Sequence, residues 1–317
     1  MVNIAKIIVM GNVVADVVAC AVDEVPRFAS LHPESITFHS GGCATNPAIG
    51  LARLGVEAQL VACVGQDLFG NALLEILQAG AVDTRYVQRL AGQPTGVSIV
   101  LVDSNGERRF IANPGANNSL TPAALPPAAL DGAFALHIGG FFVTQGLEDG
   151  TLASLLKLAQ TKGVLTSLDP ISGSIRERRE ALFPLLPYLD LLLLNDDEGQ
   201  EITDQKEPHA IAEALLAHDV RTVIVKQGAR GSLVMGQHGP LTVPAYPAHT
   251  IDGTGAGDAF AAALLASLAR GDQFAEAVRW ASAAGAANVE ALGATGKWRG
   301  WEDLANVRKR SSRASLL

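Results

Sequence analysis

The 317-residue sequence predicts an α/β fold: a doubly wound, mostly parallel sheet with helices on both faces, plus a small β-sheet lid. Three observations predict it. Short apolar runs of strand type recur between longer helical patterns along the chain. Each helical pattern carries enough apolar residues to cover one face of a sheet. Two stretches break that alternation, and one of them contains an Asn-Gly turn, the mark of a hairpin added to the core.

Taken in order, the first strand is Ile7 to Met10. The apolar segment from Ile7 to Val22 is interrupted by Asn12 and Asp16 and preceded only by Lys6, so it reads as a strand and its loop, not as a secretion signal. Ile36 to Ser40 is the first lid strand, and Ala44 to Leu54 the first helix. Strand Gln59 to Val64 and helix Leu68 to Ala79 resume the core. The lid continues as Gly96 to Val102 and Arg108 to Ala112, joined through Asp103-Ser104-Asn105-Gly106. Thr121 to Ala129, rich in Pro and Ala, is expected to be a short helix that returns the chain to the core. Strands Phe134 to Ile138, Val164 to Leu168, Leu191 to Leu194 and Thr222 to Val225 then alternate with helices Thr151 to Thr161, Ala210 to His218 and Gly257 to Ala269. The expectation is one domain over residues 1–317, with a lid drawn from about 12–40 and 96–115.

A hydrophobic content of 48% is ample for a buried core, and a net charge of -8 argues against nucleic-acid or anionic-membrane partners. Small-molecule chemistry fits better. The one basic cluster, Arg308-Lys309-Arg310 to Arg313, is expected to fray in solvent. Cys20, Cys43 and Cys63 lie far apart without CxxC spacing, so neither zinc nor a disulfide framework is expected, and a reducing, cytoplasmic setting is. No apolar run reaches the length of a membrane span; Leu185 to Leu194 contains Pro187 and Asp190.

The most informative stretch is Ile251-Asp252-Gly253-Thr254-Gly255-Ala256-Gly257-Asp258, which runs into a small, apolar helix. Side chains nearly vanish at Gly255, Ala256 and Gly257, so backbone N–H groups can surround a charged oxygen at the positive end of the helix. That geometry suits a phosphate. Asp258, in the first turn, is placed to take a proton from an attacking hydroxyl; it reads equally as a first-turn helix acid. Upstream, Gly41-Gly42-Cys43-Ala44-Thr45-Asn46 opens a helix, and Asn46 with Asp16 offers donors and acceptors for a polyhydroxylated ligand. Asn195-Asp196-Asp197-Glu198 follows a buried strand, at the sheet edge where open α/β folds bind ligands. Asn195 and Glu198 can order waters around Mg²⁺, or simply cap a helix. Lys226-Gln227-Gly228-Ala229-Arg230-Gly231 can hug a nucleotide, with Lys226 on phosphate, or form a plain hairpin into Ser232 to Met235. The small residues Ala283 to Ala287 leave room for an adenine or for close helix packing. Gly296-Lys297 is no P-loop, since Ala291 and Trp298 stand at its required positions, and no early dinucleotide fingerprint is present.

In their order and spacing, Gly41-Gly42 to Asn46 with Gly55 and Gly65, Asn195-x-x-Glu198, Lys226 to Gly231 and Asp252 to Asp258 resemble the PfkB/ribokinase family of carbohydrate kinases, over nearly the whole chain. The resemblance implies a ribokinase-like fold and transfer of the ATP γ-phosphoryl group to a sugar hydroxyl. It implies Asp258 as catalytic base and Gly255, Ala256 and Gly257 as anion hole. Asn195 and Glu198 then organise Mg²⁺ through water, and Asp16, Gly42 and Asn46 hold the sugar. Lys226, Gly228 and Gly231 match the nucleotide loop. Asp252, the backbone near Thr254, Asn288 and Gly293 resemble the monovalent-cation (K⁺) site of part of the family. Gly253 replaces the family's usual Thr, Ser, Pro or Val, which puts that cation site in question. Cys43 stands where ribokinases carry Lys, so a phosphate contact is missing or comes from a lid arginine, Arg108 or Arg109; Val14 replaces a typical Asn. These departures weigh against ribose. A nucleoside kinase of the same family, with Phe141 and Phe142 on a base or sugar ring, and an idle sugar-binding regulator are the alternatives. The sequence leaves the oligomeric state open, and exposed lid strands, which can pair edge to edge, make a homodimer through the lid one assembly it allows.

Overall fold

The computed structural model describes residues 5–105, 107–171 and 175–314. In chain order its strands are β1 (Lys6–Gly11), β2 (Val14–Cys20), β3 (Ser35–Gly41), β4 (Glu57–Gly65), β5 (Asp83–Leu90), β6 (Val97–Val102), β7 (Arg108–Asn113), β8 (Ala133–Gly139), β9 (Leu165–Asp169), β10 (Leu191–Asn195), β11 (Thr222–Lys226), β12 (Ser232–Gly236) and β13 (Leu241–Val243). The helices are α1 (Thr45–Arg53), α2 (Leu68–Ala79), α3 (Leu152–Thr161), α4 (Ile175–Arg178), α5 (Asp196–Thr203), α6 (Pro208–Leu216), α7 (Ala256–Ala269), α8 (Phe274–Asn288) and α9 (Trp301–Ala314).

Nine strands form the core sheet in the order β13-β12-β11-β10-β9-β8-β1-β4-β5, and only β12 and β13 run antiparallel to their neighbours. Alternation along β1 divides the core in two. Ile7 and Val9 share one hydrophobic cluster with Leu51, Leu264 and Ala281, whereas Ile8 and Met10 share the other with Leu152, Leu156 and Ile211. Helices therefore cover both faces, as the apolar runs require. The chain moves one way from β1 to β4 and the other way from β8 to β11, so the strand order reverses between β1 and β8. Ligands bind at the carboxyl ends of the strands at such a reversal.

The lid is a four-stranded sheet, β3-β2-β6-β7. It begins where the expected loop after the first strand instead continues as β2, because Val14, Ala15, Val17 and Val18 favour extended backbone. β5 is a second addition; its DTRYVQRL sequence is polar because it forms an edge of the large sheet. The helix expected over 121–129 is instead two short 3₁₀ turns, Pro122–Ala124 and Pro127–Leu130, since Pro126 and Pro127 break any longer helix. The basic C-terminal segment does not fray as expected. It is the last part of α9, held by ion pairs from Arg308 to Glu276 and from Arg310 to Glu290. Gly106, in the expected lid turn, lies outside the described residues.

Candidate active site

The phosphate-type loop is built at the start of α7. Gly255 is its N-cap residue with φ of 74°, and a Cβ there would lie 1.9 Å from the Ala294 carbonyl oxygen. Only glycine lets the chain turn while the 293–296 segment backs directly onto it. The first N–H groups of the helix then point outward at its positive end. Asp258 follows in the first turn, half-buried, and accepts a 2.8 Å hydrogen bond from Asn46 Nδ2 of α1. Burial pushes its carboxyl pKa up to about 6, against the Asn46 hydrogen bond; the charge of Asp169 raises it further and Lys226 opposes. Such a group is ionised at neutral pH yet basic enough to receive a proton.

Two clefts meet at this loop. One, of about 650 Å³, is bordered by Asp16, Gly42, Asn46, Ser98, Gly255 and Asp258, between lid and core. Asp16 reaches it because β2 pairs Asp16 with Ser98 and His39, placing all three on the inner face of the lid. Its pKa is also raised to about 6, by burial, with the Arg108 charge acting the other way. A Cβ on Gly41 would sit 2.0 Å from Asp16 Oδ2, which explains the glycine there. Asn46 Oδ1 is buried without a hydrogen-bond partner. An unmet acceptor beside two carboxylates is complementary to the hydroxyl groups of a polyol.

The second cleft, of about 670 Å³, is bordered by Lys226, Gly228, Gly231, Gly257, Gly285 and Ala286. Gly285 and Ala286 are the half-buried part of the small-residue run in α8 that lines the cleft, while Ala283 and Ala284 pack inside. The glycine-rich segment after β11 lines this cleft and also leads into β12 as a hairpin. Lys226 Nζ is bonded to Asp169 Oδ2 at 2.5 Å and lies 2.9 Å from where a Cβ on Gly257 would be. Burial works against its charge, but the carboxylates of Asp169, Glu198 and Asp258 hold its pKa above the ordinary lysine value.

Asn195 and Glu198 form a reciprocal capping box: Glu198 N donates to Asn195 Oδ1 at 2.9 Å, and Asn195 N donates to Glu198 Oε2 at 2.7 Å. Capping and a place at the sheet edge coexist here. Among the described residues no three His, Cys, Asp or Glu side chains are gathered to hold a metal.

Asp169 was missed from sequence. Its signal was its position, the last residue of a parallel strand followed by Pro170. Arg109 is not brought to the cleft. It pairs with Leu101 in the lid register and donates to the Val22 and Asp23 carbonyls, whereas its neighbour Arg108 faces inward. Arg108 donates to Asp252 Oδ2 and, at 2.7 Å, to Thr254 Oγ1. Asp252 also accepts from Thr254 N and Gly293 N, and Asn288 Nδ2 donates to the Thr254 and Ala294 carbonyls. The Asp252 carboxylate expected to ligate K⁺ is thus paired with the Arg108 guanidinium, so a positive charge already stands beside it. Phe141 and Phe142 are fully buried against each other, edge to face at 4.9 Å. That is core packing, although Phe142 also borders the lid cleft.

The pfkB family carbohydrate kinase model matches residues 4–299. The chain belongs to the pfkB family of carbohydrate kinases. A fructokinase of Klebsiella pneumoniae is 32% identical over 237 residues, 72% of this chain and 76% of that protein. An ATP-dependent ribose-1-phosphate kinase of Halopiger xanaduensis is 31% identical over 255 residues, 80% of this chain and 81% of that protein. Among solved structures, a putative ribokinase II of E. coli in complex with ATP and Mg²⁺ has a TM-score of 0.83 at 25% identity, covering 98% of this chain and all of the other. The fold and the family expected from sequence are thus both borne out, and this carbohydrate kinase has no described helix long and apolar enough to cross a membrane.

Proposed function

We propose that this kinase transfers the γ-phosphoryl group of ATP to a hydroxyl of a sugar held between lid and core. The observation that carries the reading is the position of Asp258, whose side chain faces the lid cleft while the helix start that bears it borders the other cleft. Asp16 and Asn46 grip the sugar hydroxyls. Asp258 Oδ accepts the proton of the attacking hydroxyl as its oxygen bonds to the γ-phosphorus and the bond to the β,γ-bridging oxygen breaks, which leaves ADP. The amides of Gly255, Ala256 and Gly257 stabilise charge on the moving group, and closure of the lid excludes water.

Lys226 is aimed at the phosphates, with Gly228 and Gly231 giving the nucleotide close backbone approach. Mg²⁺, held through water near Asn195 and Glu198, supplies neutralisation of the phosphate oxygens when bound. The E. coli relative was solved with ATP and Mg²⁺, which supports both cofactors. The whole chain works as one kinase unit, its lid drawn from residues 12–40 and 96–115, and its free cysteines suit a reducing cytoplasm. The outer lid face carries Ile36, Phe38, Ile99 and Ile111, all exposed, and this row suits a second copy of the chain. Light scattering of the purified protein tests that dimer. Release of ADP across a panel of ketoses, aldoses, sugar phosphates and nucleosides tests the activity. Turnover only with nucleosides, or with none, would overturn it.

A further inference from the structure

Asp252 is almost wholly buried, its side chain 2% exposed, at the base of the loop that supplies the anion-hole amides. A buried carboxylate needs a cation. Here the cation comes from the other sheet: Arg108, at the start of lid strand β7, reaches across to Asp252 and Thr254 with its own side chain only 18% exposed. The same Asp252 fixes Thr254 N at 2.9 Å and Gly293 N at 2.7 Å, the residues immediately before Gly255 and Ala294, which meet each other. Arg108 from the lid thus completes a shell around a loop that Asp252 otherwise holds through two amide bonds.

We propose that Arg108 is a positioning residue, a guanidinium clamp carried by the lid that locks loop 252–256 when the lid closes and makes a monovalent cation unnecessary. Its planar fork suits this task, meeting a carboxylate and a hydroxyl at once. Acceptor binding and phosphate binding are thereby linked through one side chain. The inference rests on the proposed phosphotransfer only for its effect on turnover; the coupling of lid to loop stands apart from it.

The test uses the full chain and Arg108→Ala, with Arg108→Lys as the conservative variant. Hydrogen exchange without any ligand is read first. Arg108→Ala should exchange at least about tenfold faster at Thr254 and Gly293 as well as in the lid strands, and Arg108→Lys should fall between it and the parent. Thermal unfolding in K⁺ against tetramethylammonium at equal ionic strength should show no difference for the parent chain and a K⁺-specific rise for Arg108→Ala. With ATP and D-fructose or D-ribose, whichever the acceptor panel shows to be used, kcat of Arg108→Ala should fall roughly 10- to 100-fold with a near-constant KM for ATP, and millimolar guanidinium should restore part of it. Faster exchange confined to the lid, K⁺ activation of the parent chain, or a variant altered only in acceptor KM would each overturn the proposal. Absence of turnover with both sugars would count against the acceptor class and leave the exchange result to decide on the clamp.

Discussion

Replacing Asp258 by Asn should stop the chemistry and strengthen the fold at the same time. The amide keeps an oxygen for Asn46 Nδ2 but cannot take a proton, so turnover should fall by roughly 10²–10⁴ with little change in ATP binding. The stability gain follows from the elevated pKa. A carboxylate raised from its ordinary 3.8 to about 6 is held in the charged form at a cost, and at about 1.36 kcal/mol per pH unit the cost is at most about 3 kcal/mol. Losing a favourable first-turn acid removes about 0.3–1 kcal/mol of this gain, and water reaching the cleft side lowers it further, leaving about 1–2 kcal/mol. The sign is fixed by proton uptake: between pH 4 and 6 the folded parent holds the proton more tightly than the unfolded chain. The parent therefore loses stability as pH rises through that window, and the variant lacks this loss at position 258. Urea unfolding at pH 7 should show the variant more stable, by roughly 1.5–3 °C if read as a melting temperature, and the difference should vanish near pH 4. Near-normal turnover, or a variant less stable at pH 7, would refute the reasoning.

Asn46→Ala removes the hydrogen bond that favours the charged form of Asp258, so the acid limb of kcat/KM should move from about 6 to higher pH, with activity partly recovered at alkaline pH; an unmoved limb would show that Asn46 does not tune the base. Gly255→Ala forces a Cβ into the Ala294 carbonyl and a left-handed φ on alanine, and should cost at least about 1 kcal/mol of stability and most of the turnover, read by thermal unfolding and ADP release. Asn195→Ala opens the capping box and should cost about 1 kcal/mol. Its Mg²⁺ titration separates the two roles of that motif: a rise in the Mg²⁺ needed for half-maximal rate supports ion binding, and an unchanged titration leaves capping alone.

How much of this was legible in the sequence depended on whether a feature is local. The loop from Asp252 to Asp258 declares itself, because a helix start with open N–H groups needs glycines and small residues in consecutive positions. The strand-to-helix edge at Asn195 was equally plain, since the capping box and the sheet-edge location are both encoded within four residues. What escaped was parity and pairing. Arg108 and Arg109 are adjacent, and only the register of β7 against β6, in which Val102 faces Arg108 and Leu101 faces Arg109, decides which of them turns inward. The sequence RRFIAN offers no clean alternation of polar and apolar residues to settle it. Asp169 was hidden for the related reason that its partner Lys226 is 57 positions away and meets it only through the sheet order. The same dependence on pairing holds at Asp252, which resembles a cation ligand when read along the chain but across the chain faces an arginine from the lid. Residues that bind through backbone geometry are thus readable from spacing, whereas residues that act through charge depend on which opposite charge the fold delivers. In this kinase the charges at the reaction centre are largely paired, Lys226 with Asp169 and Arg108 with Asp252, while Asp16 and Asp258 have no bonded cation of their own. Burial raises the pKa of those two acids, and they are the two that the proposed mechanism sets against the substrate hydroxyls.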